Sequence, residues 1–396
     1  MITPLLPTYR RMPISFERGE GMYLYDTDGK KYLDLYSGIG VNCLGHAHPH
    51  LVAALKEQGE KLWHLSNLYE IPGQQKLAER LVAATFADTV FFTNSGAEAI
   101  ELCIKMVRKH FSDKGQSRHR MVTMSSAFHG RTLAGIAAAG QEKLVAGFAP
   151  LPDGFDVVNW GDLDAVEAAI TPSTGAIMVE PVQGEGGIRP LGHNVLKGLR
   201  DLADKYDLLL VLDEIQCGMG RTGKLFYHEW SDVKPDIVAS AKGIGGGFPV
   251  GAVLATEKAA SGMVAGTHGT TYGGNPLAMA ISNAVMDVML ADGFMDNVVA
   301  TGKLLKDALV KLKNNHPTLI NEVRGTGLML GLRCPTVDTR VAVLALVKRG
   351  LLVAPAGDSV IRFLPPLIMQ ASHVEEAYKG LDAAFTDWQT TGLPSE

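Results

Sequence analysis

The chain predicts an α/β protein: a large domain on a mostly parallel sheet, joined to a smaller α+β domain. Three observations carry this expectation. From about residue 73, helix-like and strand-like segments alternate, the pattern of a parallel sheet covered on both faces. The last third changes to two long helices flanking strand-like runs. The chemically unusual residues fall at the carboxyl ends of the predicted strands, where ligands sit in such sheets. The 396 residues, at roughly 150 per domain, suit two or three domains. Expected divisions are 1–60 as an N-terminal arm and a segment of the small domain, 61–285 as the large domain, and 286–396 as the C-terminal small domain.

In order, a proline-punctuated arm leads into GMYLYDTDGKKYLDLYSG, whose apolar alternation and Asp-Gly pair predict a β-hairpin. GIGVNCLGHAHPH follows, then a helical pattern through LVAALKEQGEKLWHL. QQKLAERLVAATF reads as a helix, DTVFFTN as a strand and GAEAIELCIKMVRKHF as a helix. RMVTMS, AIMVEPV, LLLVLDEI, DIVAS and VGAVLAT read as further strands, with VLKGLRDLADKY a helix among them. PLAMAISNAVMDVML is a long apolar helix leaving the large domain, and TGKLLKDALVKLKNN another. INEVRGTGLMLGLR, LLVAP and SVIRFLPP read as strands, and HVEEAYKGLDAAF closes the chain as a helix.

Composition narrows the function. A net charge of −5 with no basic run argues against nucleic acid as the main partner. Cys43, Cys103, Cys217 and Cys334 lie far apart without a CxxC pair, as expected of reduced cytosolic thiols rather than a disulfide frame or zinc site. The start lacks a basic segment followed by an apolar core, and no apolar run approaches the roughly 18 residues of a membrane span. Neither a signal peptide nor a membrane partner is expected, and a cytoplasmic location is. Glycine is abundant, at 44 residues, against a usual ~7%, much of it in loops where backbone can approach a ligand. His46, His48 and His50 alternate beside a proline without a helical i, i+4 pair, so no metal is expected there.

Several positions carry chemistry. From Ile237 to Thr256, Lys242 is the only charged residue, at a glycine-rich turn between two buried strands. Such a lysine is either a surface turn residue or an amine in a dry crevice, where desolvation lowers its pKa and readies it to attack a carbonyl. Ser95-Gly96-Ala97 turns a strand into a helix, which suits either an anion cradle or a serine N-cap boxed with Glu98. Asp213 ends a buried strand and needs a cationic or donor partner; a protonated pyridine nitrogen is one. Arg131 follows SSAFHG, and Arg362 lies inside an apolar strand; each is either a clamp for a substrate carboxylate or half of a structural ion pair. Gly218–Lys224 has the spacing of a P-loop, but Leu225 stands where a magnesium-binding Ser or Thr is needed, and the match begins several residues past the strand.

Taken together, GVNCLGHAHP, FFTNSGAEA, FHGRTL, EPVQGEGG, LDEIQCGMGRTG, AKGIGGGFPVGA and GTHGTTYGGNPLA resemble, in order along nearly the whole chain, the class III (ornithine-aminotransferase-like) pyridoxal-phosphate aminotransferases. The resemblance implies fold type I, a seven-stranded sheet in the large domain, pyridoxal 5'-phosphate as cofactor and a homodimer with shared active sites. It implies Lys242 as the Schiff-base lysine and Asp213 as the partner of the pyridine nitrogen. Gln216 would bond the ring's phenolic oxygen, Ser95, Gly96 and Ala97 would hold the phosphate, and Phe128 would stack on the ring. Thr271 is implied as a phosphate ligand given to the neighbouring subunit, with Thr270 beside it as a substrate contact. Arg131 is implied as a substrate-carboxylate clamp, Arg362 as the clamp for the α-carboxylate of 2-oxoglutarate, and Glu185 as the acid that covers Arg362 when an amine is bound.

Ornithine enzymes of this family carry a tyrosine before the VN pair, where Gly38, Ile39 and Gly40 stand here. That favours a donor with a blocked α-amine, acetylornithine, over ornithine. Succinylornithine, succinyl-diaminopimelate and 4-aminobutyrate transamination stay open at this point. A pyridoxal-phosphate isomerase, a nucleotide-binding protein using Gly218–Lys224, and a protein keeping the fold for binding alone are the other readings.

Overall fold

A computed structural model describes residues 4–393; residues 1–3 of the expected arm lie outside the described residues. Seven strands form the central sheet, in the order Thr89–Thr93, Gly251–Ala255, Ile237–Ser240, Leu209–Asp213, Thr174–Val179, Arg120–Met124, Phe155–Val158. Gly251–Ala255 runs antiparallel to both neighbours and the other six run one way, so their carboxyl ends share one side. Every residue of Thr174–Val179, Leu209–Asp213 and Ile237–Ser240 is buried, which is why these strands read as unbroken apolar runs. Helix Gly96–Ser112 packs an apolar stripe, from Ala99 to Phe111, against this sheet.

The C-terminal third builds an antiparallel sheet, Glu322–Thr326, Met329–Arg333, Val360–Phe363, Ala354–Ala356, backed by helices Phe294–Asn315 and Ala371–Thr391. The N-terminal hairpin, Tyr23–Asp26 with Lys31–Asp34, joins this end of the chain because Leu351–Leu352 adds to it in parallel.

Several elements were not expected from the sequence, among them helices Leu133–Ala139 and Leu163–Ala169 and three others. Phe16–Glu20 is an edge strand of mostly exposed, charged residues and lacks an apolar signal. Phe155–Val158 is a four-residue edge strand. Thr339–Lys348 is a helix whose near-continuous apolar run has no helical period, since Ala342, Val343, Ala345, Leu346 and Val347 are all buried. Among the described residues no single helix is long and apolar enough to cross a membrane.

The three histidines separate. His46 Nε2 lies 2.7 Å from Asp34 and His50 Nε2 lies 2.9 Å from Asp287, partners distant in sequence. Among the described residues no group of metal-ligating side chains gathers.

Candidate active site

A cavity of about 420 Å³ opens at the carboxyl ends of the parallel strands. Ser95, Gly96, Ala97, Phe128, Arg131, Asp213, Gln216 and Lys242 all line it. They come from the turns after four strands, or from a strand's last residue, so the sheet's common direction brings distant sequence together.

Lys242 follows strand Ile237–Ser240 and opens a short 3₁₀ turn, Lys242–Gly245, with φ of +51°. A non-glycine residue in the left-handed region carries strain that the surroundings must hold. Burial, and then the Arg362 guanidinium, push its ammonium down to about 8, against the opposing pull of Glu185 and Asp213. Lys242 is half-buried and lines the cavity, so it is not a surface-turn lysine, and a depressed pKa suits an amine nucleophile.

Asp213 is buried at the end of its strand. One carboxylate oxygen pairs with His129 Nδ1 at 2.8 Å and the other accepts the Ile215 N–H at 3.1 Å. Burial opposes the His129 imidazolium, but the bond to Asp213 and its charge win and raise the His129 pKa. Glu180, at the end of Thr174–Val179, faces the same cavity and accepts the Phe128 N–H at 2.7 Å and the Gly184 N–H at 3.3 Å. Burial and then the Asp213 charge push its pKa up to about 7. Sequence reasoning passed over both residues. His129 sits between Phe128 and Arg131 and was legible as part of that loop; Glu180, a lone acid beside a proline, carried no local signal.

At Ser95 both sequence readings hold. Its hydroxyl caps the helix by accepting the Glu98 N–H at 3.2 Å, while Gly96 and Ala97 stand at first-turn positions whose N–H groups have no intrahelical acceptor. These N–H groups face the cavity at the positive end of a 17-residue helix, a cradle for a phosphate. The fit is close: a Cβ on Gly96 would lie 2.8 Å from Ile215 Cδ1, and one on Gly130 3.1 Å from Ala97 Cβ. Phe128 adds a flat wall. An open N–H cradle, an aromatic face, a buried carboxylate and a poised amine fit a flat phosphorylated cofactor with a carbonyl and a basic ring nitrogen.

The two arginines differ. Arg362 is buried and ion-paired with Glu185, and its Nη1 also donates to Gln216 Oε1 at 3.1 Å. Burial works against the Glu185 carboxylate, yet Arg362 holds its pKa below the usual range. Arg131 is exposed at the mouth, 5.6 Å from the Phe128 ring centre, with no carboxylate partner among the described residues.

Thr270 and Thr271 do not line the cavity. Thr270 Oγ1 accepts from Asn94 Nδ2 at 3.4 Å and from the Gly273 N–H at 3.0 Å, and Thr271 is exposed. The Gly218–Lys224 stretch has no phosphate cradle: Arg221 within it is buried, and the chain continues into a 3₁₀ turn at Tyr227–Ser231 rather than an α-helix.

Comparison with known proteins agrees with this geometry. The family model for class-III aminotransferases matches residues 6–385. The chain is 58% identical to the acetylornithine aminotransferase of Mesorhizobium japonicum, over 96% of this chain and 95% of that one. It is similar in structure to the ornithine aminotransferase of Toxoplasma gondii, with a TM-score of 0.94 at 28% identity, covering 98% of this chain and 93% of that one. The N-acetylornithine aminotransferase of Stenotrophomonas maltophilia gives a TM-score of 0.84 at 39% identity, covering 96% and 98%. The chain therefore belongs to the class-III aminotransferases.

Proposed function

We propose that this chain transfers the distal amino group of N2-acetyl-L-ornithine to 2-oxoglutarate, giving N-acetylglutamate 5-semialdehyde and glutamate, a step of arginine biosynthesis. Class-III aminotransferases work on pyridoxal phosphate, and the residues gathered here fit that group. The observation that carries the reading is one cavity holding Lys242, Asp213 and the open helix terminus at Gly96 and Ala97, in a chain 58% identical to an acetylornithine aminotransferase.

Pyridoxal phosphate, when bound, supplies a carbonyl for the amine and a ring that takes up the electron pair left on the substrate carbon. Lys242 would hold that carbonyl through Nζ and yield it to the donor amine; the freed amine would take the proton from the donor carbon as base and deliver it to the cofactor carbon as acid. Its depressed pKa supports both duties. Asp213, oriented by His129, would keep the ring nitrogen cationic. Gln216 would donate to the phenolic oxygen, Phe128 would pack on the ring, and Ser95, Gly96 and Ala97 would hold the phosphate. Arg131 binds the donor carboxylate at the mouth. Arg362 binds the α-carboxylate of 2-oxoglutarate once Glu185 swings off it; with the amine donor bound, Glu185 keeps that charge covered.

The donor choice rests on the stretch before Val41, which lines the cavity. Ser37, Gly38, Ile39 and Gly40 form one left-handed turn, with φ of +46°, +62°, +68° and +75°, and none of them is a tyrosine; Tyr36, just before the turn, sets its ring 5.9 Å from the Arg362 guanidinium. That leaves room for an acyl group on the α-amine.

The working form we propose is a homodimer in which Thr270 and Thr271 complete the partner's site. Trp63, Leu68, Tyr69, Val264 and Tyr272 are 63% to 88% exposed, and Asn67 and the His64 ring tie the two segments together. An exposed apolar patch of this kind marks an interface. Four buried cysteines free of disulfides suit a reducing compartment, and we propose the cytosol.

The test is to mix purified, cofactor-loaded protein separately with acetylornithine, succinylornithine, ornithine and 4-aminobutyrate, following conversion of the cofactor's absorption band. Fastest conversion with acetylornithine is expected. A clear preference for ornithine or succinylornithine would overturn the donor assignment, and no conversion with any amine would overturn transamination.

A further inference from the structure

Arg221 is among the largest fully buried side chains of the protein. It has no carboxylate partner among the described residues, and its Nη2 finds no acceptor there. Burial pushes its pKa down to about 10. A buried cation without a counter-ion is unfavourable, and an apolar side chain of similar volume is often neutral or stabilising in such a place. What Arg supplies that an apolar residue cannot is direction. Its Nη1 donates to the carbonyl oxygens of Leu328 at 3.1 Å and Pro365 at 2.5 Å, and its own carbonyl accepts the Leu328 N–H at 3.0 Å.

Those acceptors sit at one end of two paired strands. Leu328 immediately precedes Met329–Arg333, Pro365 follows Val360–Phe363, and Leu330 pairs with Phe363. Arg362 is carried by the second of these strands, opposite Gly331. Gln216, which accepts a hydrogen bond from Arg362 at 3.1 Å, lies five residues before Arg221. The contacts close a ring: Arg362 to Gln216, along the chain to Arg221, across to Pro365, and back along the chain to Arg362. Backbone packs tightly beside it, for a Cβ on Gly327 would lie 2.5 Å from Thr222 Cα.

We infer that Arg221 is a positioning residue for the acceptor half of the reaction: by gripping the Leu328 and Pro365 carbonyls it sets where Arg362 stands relative to Gln216 and Lys242. The inference rests on the proposed role of Arg362 as the clamp for 2-oxoglutarate. A shift of about 1 Å in such a clamp costs up to roughly a hundredfold in turnover. The donor half, which uses Arg131 at the mouth and leaves Arg362 covered by Glu185, is far less exposed to that shift.

The experiment compares wild type, Arg221→Met and Arg221→Lys, each loaded with cofactor, in the two half-reactions separately. For Arg221→Met the expected result is a rise of about ten- to a hundredfold in the half-saturating concentration of 2-oxoglutarate. The acetylornithine half-reaction should stay within about threefold of wild type, and the Tm should fall modestly, because the Leu328 and Pro365 carbonyls lose a buried donor. Arg221→Lys should recover part of the loss, since both bonds come from one nitrogen and an ammonium donates to two carbonyls. An unchanged response to 2-oxoglutarate, or equal loss in both halves, overturns the inference. If Arg221→Met does not fold, Gly327→Ala forces the same junction apart from the other side and must give the same selective loss; equal effects in both halves would overturn it. A wild-type protein that transaminates no donor fails the proposed function itself, a result distinct from an active wild type with an insensitive Arg221.

Discussion

Lys242 is where sequence and environment meet most directly. Its isolation in an apolar stretch left a surface turn and a dry amine both open, and the fold supplies the burial and the nearby Arg362 that depress its pKa. The consequence for stability has a definite sign. A lysine at about 8 in the folded state and 10.5 when unfolded means the unfolded chain binds the extra proton between those values, so stability rises with pH through that window. Below it, the cofactor-free protein carries the full cost of a buried ammonium. Lys242→Met is expected to abolish transamination, and to raise the Tm of the cofactor-free protein at pH 7 by more than at pH 10.5. Melting curves at the two pH values check this; a gain independent of pH would mean the ammonium is not what destabilises. Arg362 was legible only as a choice between clamp and ion pair. Its bond to Glu185 shows that in this state the ion pair exists, and the same pair is what a switchable clamp requires.

At the scale of elements, the strand-to-helix turn at residues 93–97 shows how tightly local sequence is coupled to distant packing. Ser95 was readable as a cap, and it is one; that Gly96 must be glycine was not, because the reason is Ile215, which arrives from another strand. Gly96→Ala is expected to lower cofactor affinity roughly tenfold, since overpacking of this kind costs ~1–3 kcal/mol and a factor of ten is ~1.4 kcal/mol. Adding Ile215→Ala should restore most of it, as measured by cofactor titration. No loss in the single variant, or no recovery in the double, would show that the contact does not shape the cradle. Three of the elements that escaped prediction lack a local signal. Phe16–Glu20 and Phe155–Val158 are edge strands defined by their partners, and Thr339–Lys348 carries an unbroken apolar run from Val341 to Val347, so neither period nor propensity marked them.

At the scale of the whole molecule, the proposed site draws on two chains. Thr271 stands exposed beside an apolar patch, away from its own cavity. Thr271→Ala is expected to weaken cofactor binding about tenfold or more, the loss of one hydrogen bond to a charged group being ~1.5–3 kcal/mol, and Leu68→Asp should drive the protein toward monomers that lose the cofactor. Sedimentation with absorbance detection checks both; a monomer retaining cofactor at full affinity would exclude a shared site. The alternation of apolar strands and helices determined the sheet by itself, because the buried parallel strands announce themselves in runs such as LLLVLD. The sequence pointed to the chemistry through the ordered resemblance of its motifs to the class III aminotransferases, because the lysine, the strand-end aspartate and the small-residue helix start each left a structural alternative open when taken singly. Tertiary structure alone decided the pairing of His129 with Asp213, the place of Glu180 between two loops, and the use of Arg221 as a tie between strands rather than a phosphate ligand. Those contacts join residues 52 to 144 positions apart, and burial and hydrogen-bond direction at such range are set by how the strands align, which no local pattern encodes.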